Sequence, residues 1–364
     1  MHKLRISIYP EHSTFEKDTA YMELASKYGY SRIFTCLLSV SKPKEEIVKE
    51  FKQFVSKAHE LGFIVAADTA PFVFDHLGAT PEDISVFQEI GLDIIRLDGH
   101  FDDRLDMLLT RNPYGIKIEF NGSSDANVEG LIKHGGDINR ICVCHNFYPE
   151  TYTGLCMDIF NEYNEKWNEI GLRTAAFINS QAKDTYGPWP VFDGLCTLEQ
   201  HRNLSVSLQA RHFISTEKID DILFGNAYAT EEELKEVASI DLTKTTVSID
   251  LCENVTQEEI DLLYNFNHTG RPDHSEFFIR SSWPRLEYKD KSIPYRNSGK
   301  TFFERGDVVC VNDNLARYRG ELEVILKPVP CDGKRNLIGS IPKEEWIILD
   351  EMEKHHDHLF GFVK

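Results

Sequence analysis

The chain has 364 residues, 41% of them hydrophobic, and its 59 acidic against 40 basic side chains give a formal charge of −19. That length supplies a large core with a second, smaller domain behind it. The charge argues against nucleic acid and against an anionic membrane surface as partners, because no compensating basic tract is found; a few arginines in a pocket can still hold a small anion.

Taken in order, one unit recurs. Residues 5–9 form a short strand and 14–28 an amphipathic helix. Residues 32–38 are the second apolar run, and Pro43 opens a helix through 61 that Gly62 stops. A third strand, 63–67, ends in Asp68, and its helix spans 81–90. A fourth, 94–97, ends in Asp98-Gly99 and leads to a helix over 101–110.

The fifth strand lies in Gly115-Ile-Lys-Ile-Glu-Phe-Asn-Gly-Ser. Ile116, Ile118 and Phe120 take one face, so Lys117, Glu119 and Asn121 point into the sheet's interior. Its helix is expected over 127–134. The sixth strand, 141–145, precedes a long helix over 154–170, and the seventh is 173–178. Residues 179–194 read as a binding loop, with a helical region over 197–215. An eighth strand, 221–224, and a helix over 230–238 complete the series.

Eight such units predict an α/β fold, a (β/α)₈ TIM barrel over residues 1–240. A doubly wound sheet is the alternative, but Tyr9-Pro-Glu-His-Ser lacks its glycine fingerprint. From about residue 241 to 364 the rhythm becomes β-rich, with strands over 245–252, 275–280, 307–311, 321–326 and 346–349, and a helix over 257–264. A small β-barrel is expected there, ending in a solvated charged tail over 350–358.

The first residues lack the apolar run of a signal peptide, so a cytoplasmic location is expected. Eight scattered cysteines suit buried thiols. Cys142-Val-Cys-His145 resembles a metal cluster, yet no second ligand pair follows, and core thiols are the better reading.

Strand ends in a TIM barrel are where chemistry sits. Here they supply Glu11, Asp68, Asp98, Glu119, His145, Asn146 and Asn179. Carboxylates around one cavity suit acid–base work on a glycosidic bond, with Asp98 and Glu119 foremost and Asp68 in reserve. A divalent metal held by Asp68, Asp98, Glu119 and His145 is a rival use. The rival readings are thus a metal-dependent sugar-phosphate isomerase or aldolase and a non-catalytic sugar-phosphate binder; a Schiff-base aldolase would have Lys117 as its candidate. A phosphate is expected at the loops after the seventh and eighth strands, around Asn179-Ser180 and Gly225-Asn226.

Several motifs together resemble the bacterial 6-phospho-N-acetylmuramidase family. They are Ile6-Ser-Ile-Tyr-Pro, Arg96-Leu-Asp-Gly, Ile116-Lys-Ile-Glu-Phe-Asn, Cys144-His-Asn-Phe-Tyr-Pro and Gly194-Leu-Cys-Thr-Leu-Glu-Gln-His-Arg, followed by His268-Thr-Gly-Arg-Pro-Asp, Ile279-Arg-Ser and Ala316-Arg-Tyr-Arg-Gly-Glu-Leu. The resemblance implies a TIM barrel with a cyclophilin-like β-barrel, and cleavage of a 6-phosphorylated N-acetylmuramyl–N-acetylglucosamine disaccharide in cell-wall recycling. It implies no redox cofactor; no cofactor and no metal are expected here, and homodimerisation is left open. Strand ends, loops and motifs together make Asn121, His145, Asn146, Tyr148, Asn179, Gly225 and Asn226 the expected substrate-binding residues, and the resemblance singles out Arg271-Pro-Asp273 and Arg280 of the second domain to close over the phosphate. Glu150 stands where a basic residue is expected.

Overall fold

A computed structural model describes residues 2–124, 126–191 and 193–363. The chain divides into two compact units, Met1–Phe213 with Glu217–Ile240, and Asp241–Lys364 with Ile214–Thr216.

The first unit is a closed barrel of eight parallel strands in sequence order: β1 (Lys3–Ser7), β2 (Arg32–Cys36), β3 (Ile64–Thr69), β4 (Ile94–Leu97), β5 (Lys117–Asn121), β6 (Ile141–Cys144), β7 (Thr174–Ile178) and β8 (Asp221–Phe224). The ring shuts where Lys3 pairs with Asp221 and Leu4 with Ile222. Strands such as β7, Thr-Ala-Ala-Phe-Ile, are buried along their whole length, as a parallel strand covered on both faces must be. Between them run α1 (Phe15–Lys27), α2 (Lys44–Glu60), α3 (Pro71–Leu77), α4 (Ser85–Ile90), α5 (Asp103–Thr110), α6 (Val128–Lys133), α7 (Met157–Ile170), α8 (Val206–Thr216) and α9 (Glu231–Ala238). Sequence signals explain many of the ends. Thr230 and Glu233 form a reciprocal capping box at α9, and the Asp102 carboxylate accepts from the Leu105 N–H at α5.

One helix differs from expectation. The expected helix over 81–90 is instead α3 followed by α4, because Thr80 and Asp83 exchange backbone hydrogen bonds and the Asp83 side chain accepts from Ser85 N–H. Those bonds hold Pro81 and Glu82 in a turn, while Pro71 takes the first turn of α3, where its missing N–H costs nothing.

The second unit contains β9 (Thr245–Ser248), β10 (Asp250–Leu251), α10 (Gln257–Tyr264), β11 (His268–Thr269), β12 (Phe278–Ser281), α11 (Arg285–Tyr288), β13 (Phe302–Phe303), β14 (Asp307–Val311), β15 (Leu322–Ile325), β16 (Val329–Pro330), β17 (Arg335–Ser340), α12 (Trp346–Lys354) and β18 (Leu359–Val363). Among the described residues its strands pair as a five-stranded sheet, β10-β17-β14-β15-β12, a three-stranded sheet, β11-β18-β9, and the pair β13-β16. Residues 346–349, expected as a strand, open α12. Ile348, Leu349 and Met352 are buried at helical spacing, and a short apolar run does not reveal its period by itself. The expected solvated tail is likewise part of this packing: Glu351 is buried, and the chain runs on into β18.

Candidate active site

Residues pointing into the barrel form a graded interior. Register aligns Cys36, Asp68, Arg96, Glu119 and Cys142 across β2 to β6. Asp68 and Arg96 stand near the carboxyl ends of their strands. Asp98 follows β4, and Asn121 is the last residue of β5.

Arg96 organises this part of the mouth. Its Nη1 donates to Asp68 Oδ1 at 2.5 Å and to Asp98 Oδ1 at 3.2 Å. Its Nη2 donates to the Asn146 side-chain carbonyl, and Asn121 Nδ2 donates to Asp98 Oδ1 at 3.3 Å. Since one nitrogen serves both carboxylates, the two accepting oxygens are no farther apart than those two bonds laid end to end. Burial pushes the Asp68 carboxyl up to about 6 against the pull of Arg96, and the charges of Asp98 and Glu119 add to the rise. Asp68 Oδ2 has no hydrogen-bond partner among the described residues and is not sealed from solvent. The Asp98 side chain is 41% exposed. A buried, partly protonated carboxyl thus stands beside an open one.

The opposite half of the mouth is apolar. Tyr9, Phe34, Cys144, Ala175, Phe177, Leu195 and Leu223 pack together, with Phe147 against them. The rings of Phe34, Phe147 and Phe177 meet edge to face at 5.1–6.0 Å. Tyr148 follows Phe147, and burial raises its phenol pKa. Tyr9, Phe34 and Phe177 are buried within this cluster, and Phe147 is half-buried against it.

Two expected residues lie elsewhere. Glu119 is not at the mouth: it sits one inward position below Asn121, is 0% exposed, and accepts from Arg32 Nη2 at 2.6 Å. His145 faces out of the barrel, where its ring packs on Phe160 of α7 and its Nε2 meets the Asn164 side chain. Burial lowers its pKa to about 4, so the ring is neutral. The four-residue metal set is therefore dispersed. Among the described residues no three His, Cys, Asp or Glu side chains gather in a way that could hold a metal. Lys117 begins β5, at the barrel's amino end rather than at its mouth.

The loops after β7 and β8 spend their polar groups on each other. Asn179 Oδ1 accepts from Leu195 N–H and its Nδ2 donates to the Arg202 carbonyl. Asn226 Oδ1 accepts from Ser180 N–H, and its Nδ2 donates to Ser180 O and Thr185 Oγ1. A Cβ on Gly225 would come 2.1 Å from the Leu195 carbonyl oxygen, so only glycine lets these loops pack. Within the second unit, Arg271 grips Asp273 through two bonds of 2.6 and 2.8 Å, and Arg280 reaches the same carboxylate at 3.3 Å.

Two organising arginines were not singled out from the sequence, Arg96 and Arg202. Arg202 donates to the carbonyls of Tyr148, Glu150 and Asp193 and to the Glu199 carboxylate. The hydrogen bonds from Arg202 hold Glu199 down to about 2. The signal was parity: Arg96 shares its face with Ile94 and Asp98. Exposed Glu150 offers Arg202 only its backbone.

A cavity of about 500 Å³ lies at the other end of the barrel, lined by Lys3, Arg5, Arg32, Lys117, Arg173 and Asp221 among others. Arg5 and Arg173 both donate to Asp221, which makes this a braced charged floor. Barrel chemistry belongs to the carboxyl-end face.

A closed (β/α)₈ barrel that holds two carboxylates on one arginine near its carboxyl end defines the chain's first unit as a TIM barrel. Residues 4–239 match the description "6-phospho-N-acetylmuramidase, N-terminal" and residues 245–361 match "6-phospho-N-acetylmuramidase, C-terminal". The chain belongs to the 6-phospho-N-acetylmuramidase family, whose name is that of a glycosidase. It is similar to an uncharacterised Bacillus cereus protein of known structure, at 42% identity with all of both chains covered and a TM-score of 0.91. It also resembles a conserved Enterococcus faecalis protein of unknown function, at 22% identity over 100% of this chain and 96% of that one, with a TM-score of 0.69, a likeness of fold alone. Comparison with curated proteins gave no match.

Proposed function

We propose that this chain hydrolyses a 6-phosphorylated N-acetylmuramyl–N-acetylglucosamine disaccharide, inside the cell and in the recycling of cell wall. Family membership supports the reaction class. The observation that carries the mechanism is the sharing of Arg96 Nη1 by Asp68 and Asp98.

Asp68 is the proton donor. A carboxyl raised to about 6 retains a protonated fraction near neutrality, and its free oxygen gives the proton a way out. As the bond from the anomeric carbon to the leaving oxygen breaks, that oxygen takes the Asp68 proton. Water then adds to the anomeric carbon and returns a proton to Asp68. Asp98, open to solvent, supports the positive charge at the sugar or holds the acetamido group as that group attacks the anomeric carbon. The short span between the carboxylates favours such a double displacement over inversion, which leaves about 6.5–9.5 Å for a water between them.

The test is incubation with phosphorylated and unphosphorylated disaccharides, read by mass spectrometry, using wild type, Asp98→Asn and Asp68→Asn. Cleavage restricted to the phosphorylated compound, and reduced about a hundredfold or more in both variants, is expected. Wild-type turnover in both variants removes the assignment; intact disaccharide with wild type removes the reaction.

A further inference from the structure

The interior of a TIM barrel is ordinarily filled by bulky branched apolar side chains. At the amino end of this one a cavity of about 500 Å³ remains, within the range of small-molecule sites, and five cations against three carboxylates line it. In a chain of formal charge −19 that excess runs against composition, and low-dielectric walls focus its positive potential. Lys3 lies on β1 and Lys117 on β5, four places apart in a ring of eight strands, so the two stand on opposite walls.

The three carboxylates are already engaged. Glu119 takes Arg32, and Asp93 accepts from the Val65 N–H and meets His59 Nε2. Asp221 Oδ1 accepts from Arg5 Nε and from Arg173 Nη2, each at 2.8 Å, which brings those two forks together. Lys3 and Lys117 are exposed and have no carboxylate partner among the described residues. Arg5 is only 4% exposed, and its Nη1 donates to Ser31 Oγ at 2.6 Å. Its Nη2 has no hydrogen-bond partner among the described residues and is not sealed off, so it opens on the cavity that Arg5 lines. Arg173 Nη1 is also left over, with Asp220 Oδ1 3.7 Å away.

Bracing the floor explains the paired charges, and solvation explains lysines at its edge. Neither explains a nearly buried guanidinium nitrogen left open inside the barrel beside cations that have no counter-charge. Guanidinium nitrogens with fixed planes take oxyanions through charge-assisted bonds, and ammonium groups on facing walls add point charges from either side. We propose that this floor binds a small dianion, a free phosphate or a dicarboxylate, held by Arg5 Nη2 and Arg173 Nη1 between Lys3 and Lys117. The site lies at the end of the barrel away from Asp68 and Asp98, and its ligand is bound without being transformed.

The test is calorimetry on the full-length protein with inorganic phosphate, succinate and acetate at matched ionic strength and about pH 7.5. Wild type is expected to bind phosphate or succinate about tenfold or more tightly than the monoanion acetate, and the tighter of the two names the source of the dianion. That dianion should also raise the Tm of wild type, because only the folded barrel assembles the site. Lys3→Ala/Lys117→Ala should weaken its binding about tenfold or more with the ligand-free Tm unchanged, whereas Lys3→Arg/Lys117→Arg should keep it. The proposal is overturned by absent dianion binding in wild type, by acetate binding as tightly, or by a double alanine variant that binds as wild type does, which would place the anion elsewhere on the chain.

Discussion

Arg32 Nη2 donates to Glu119 Oε2 at 2.6 Å inside the barrel, with the two side chains 2% and 0% exposed. Neither charge can reach water, and each is tolerated only because the other is present. Glu119→Leu leaves Arg32 with Asp221 alone, at 3.7 Å, and should cost about 3–5 kcal/mol. The double variant Arg32→Met/Glu119→Leu should recover much of that loss in denaturant unfolding. Glu119→Gln, if it folds, should keep turnover within severalfold of wild type; a hundredfold fall would return Glu119 to the chemistry.

Asp68 ties activity to pH. With its folded pKa raised to about 6, kcat/KM should fall as pH rises through that value, and the fall should vanish in Asp68→Asn. Stability moves in the same direction. A carboxyl whose pKa is raised by folding contributes stability that is complete below its unfolded pKa, about 3.8, and lost as pH climbs through about 6. Going from about pH 7.5 to about pH 5, wild type should gain about 1.4 kcal/mol relative to Asp68→Asn. Parallel stability curves for the two proteins would contradict the shift.

If the acetamido group attacks the anomeric carbon, the substrate must carry it. A disaccharide with hydroxyl in place of acetamido should react about a hundredfold or more slowly, with ground-state binding little changed. Equal rates would transfer the nucleophile's role to a protein carboxylate.

Arg202 clasps two loops by donating to carbonyls at 148, 150 and 193, so Arg202→Ala should loosen residues 148–154 and 179–194 together. Faster proteolytic nicking in those segments and a raised KM are expected. Arg202→Lys should not restore either, because an ammonium cannot reproduce the fork. Unchanged nicking would mean that the loops are held by other bonds.

Much of the barrel was legible because parallel strands and amphipathic helices impose different periods on the chain, and Asp68, Asp98, Asn121 and Asn146 were identified from strand ends. Height along a strand was harder to read. Alternation correctly turned Glu119 inward but did not show that it lies one inward position below the rim, where Asn121 stands. For His145 the parity was there to be used: Cys144 faces in, so its neighbour faces out. The pairing of Arg32 with Glu119 and of Arg96 with Asp68 was hidden because each joins two strands, whose register is set by ring closure. The apolar start of α12 was ambiguous because four residues are too few to show a period.

The row Cys36, Asp68, Arg96, Glu119, Cys142 joins neighbouring strands by direct register. Glu119 contributes to the raised proton affinity of Asp68 although no substrate can meet it. The working pH of the catalyst is thus adjustable from its foundation. An exchange at position 119 or 32 that survives folding would retune the acid at the rim without altering any group the sugar touches, giving the scaffold a dial that substrate recognition does not constrain.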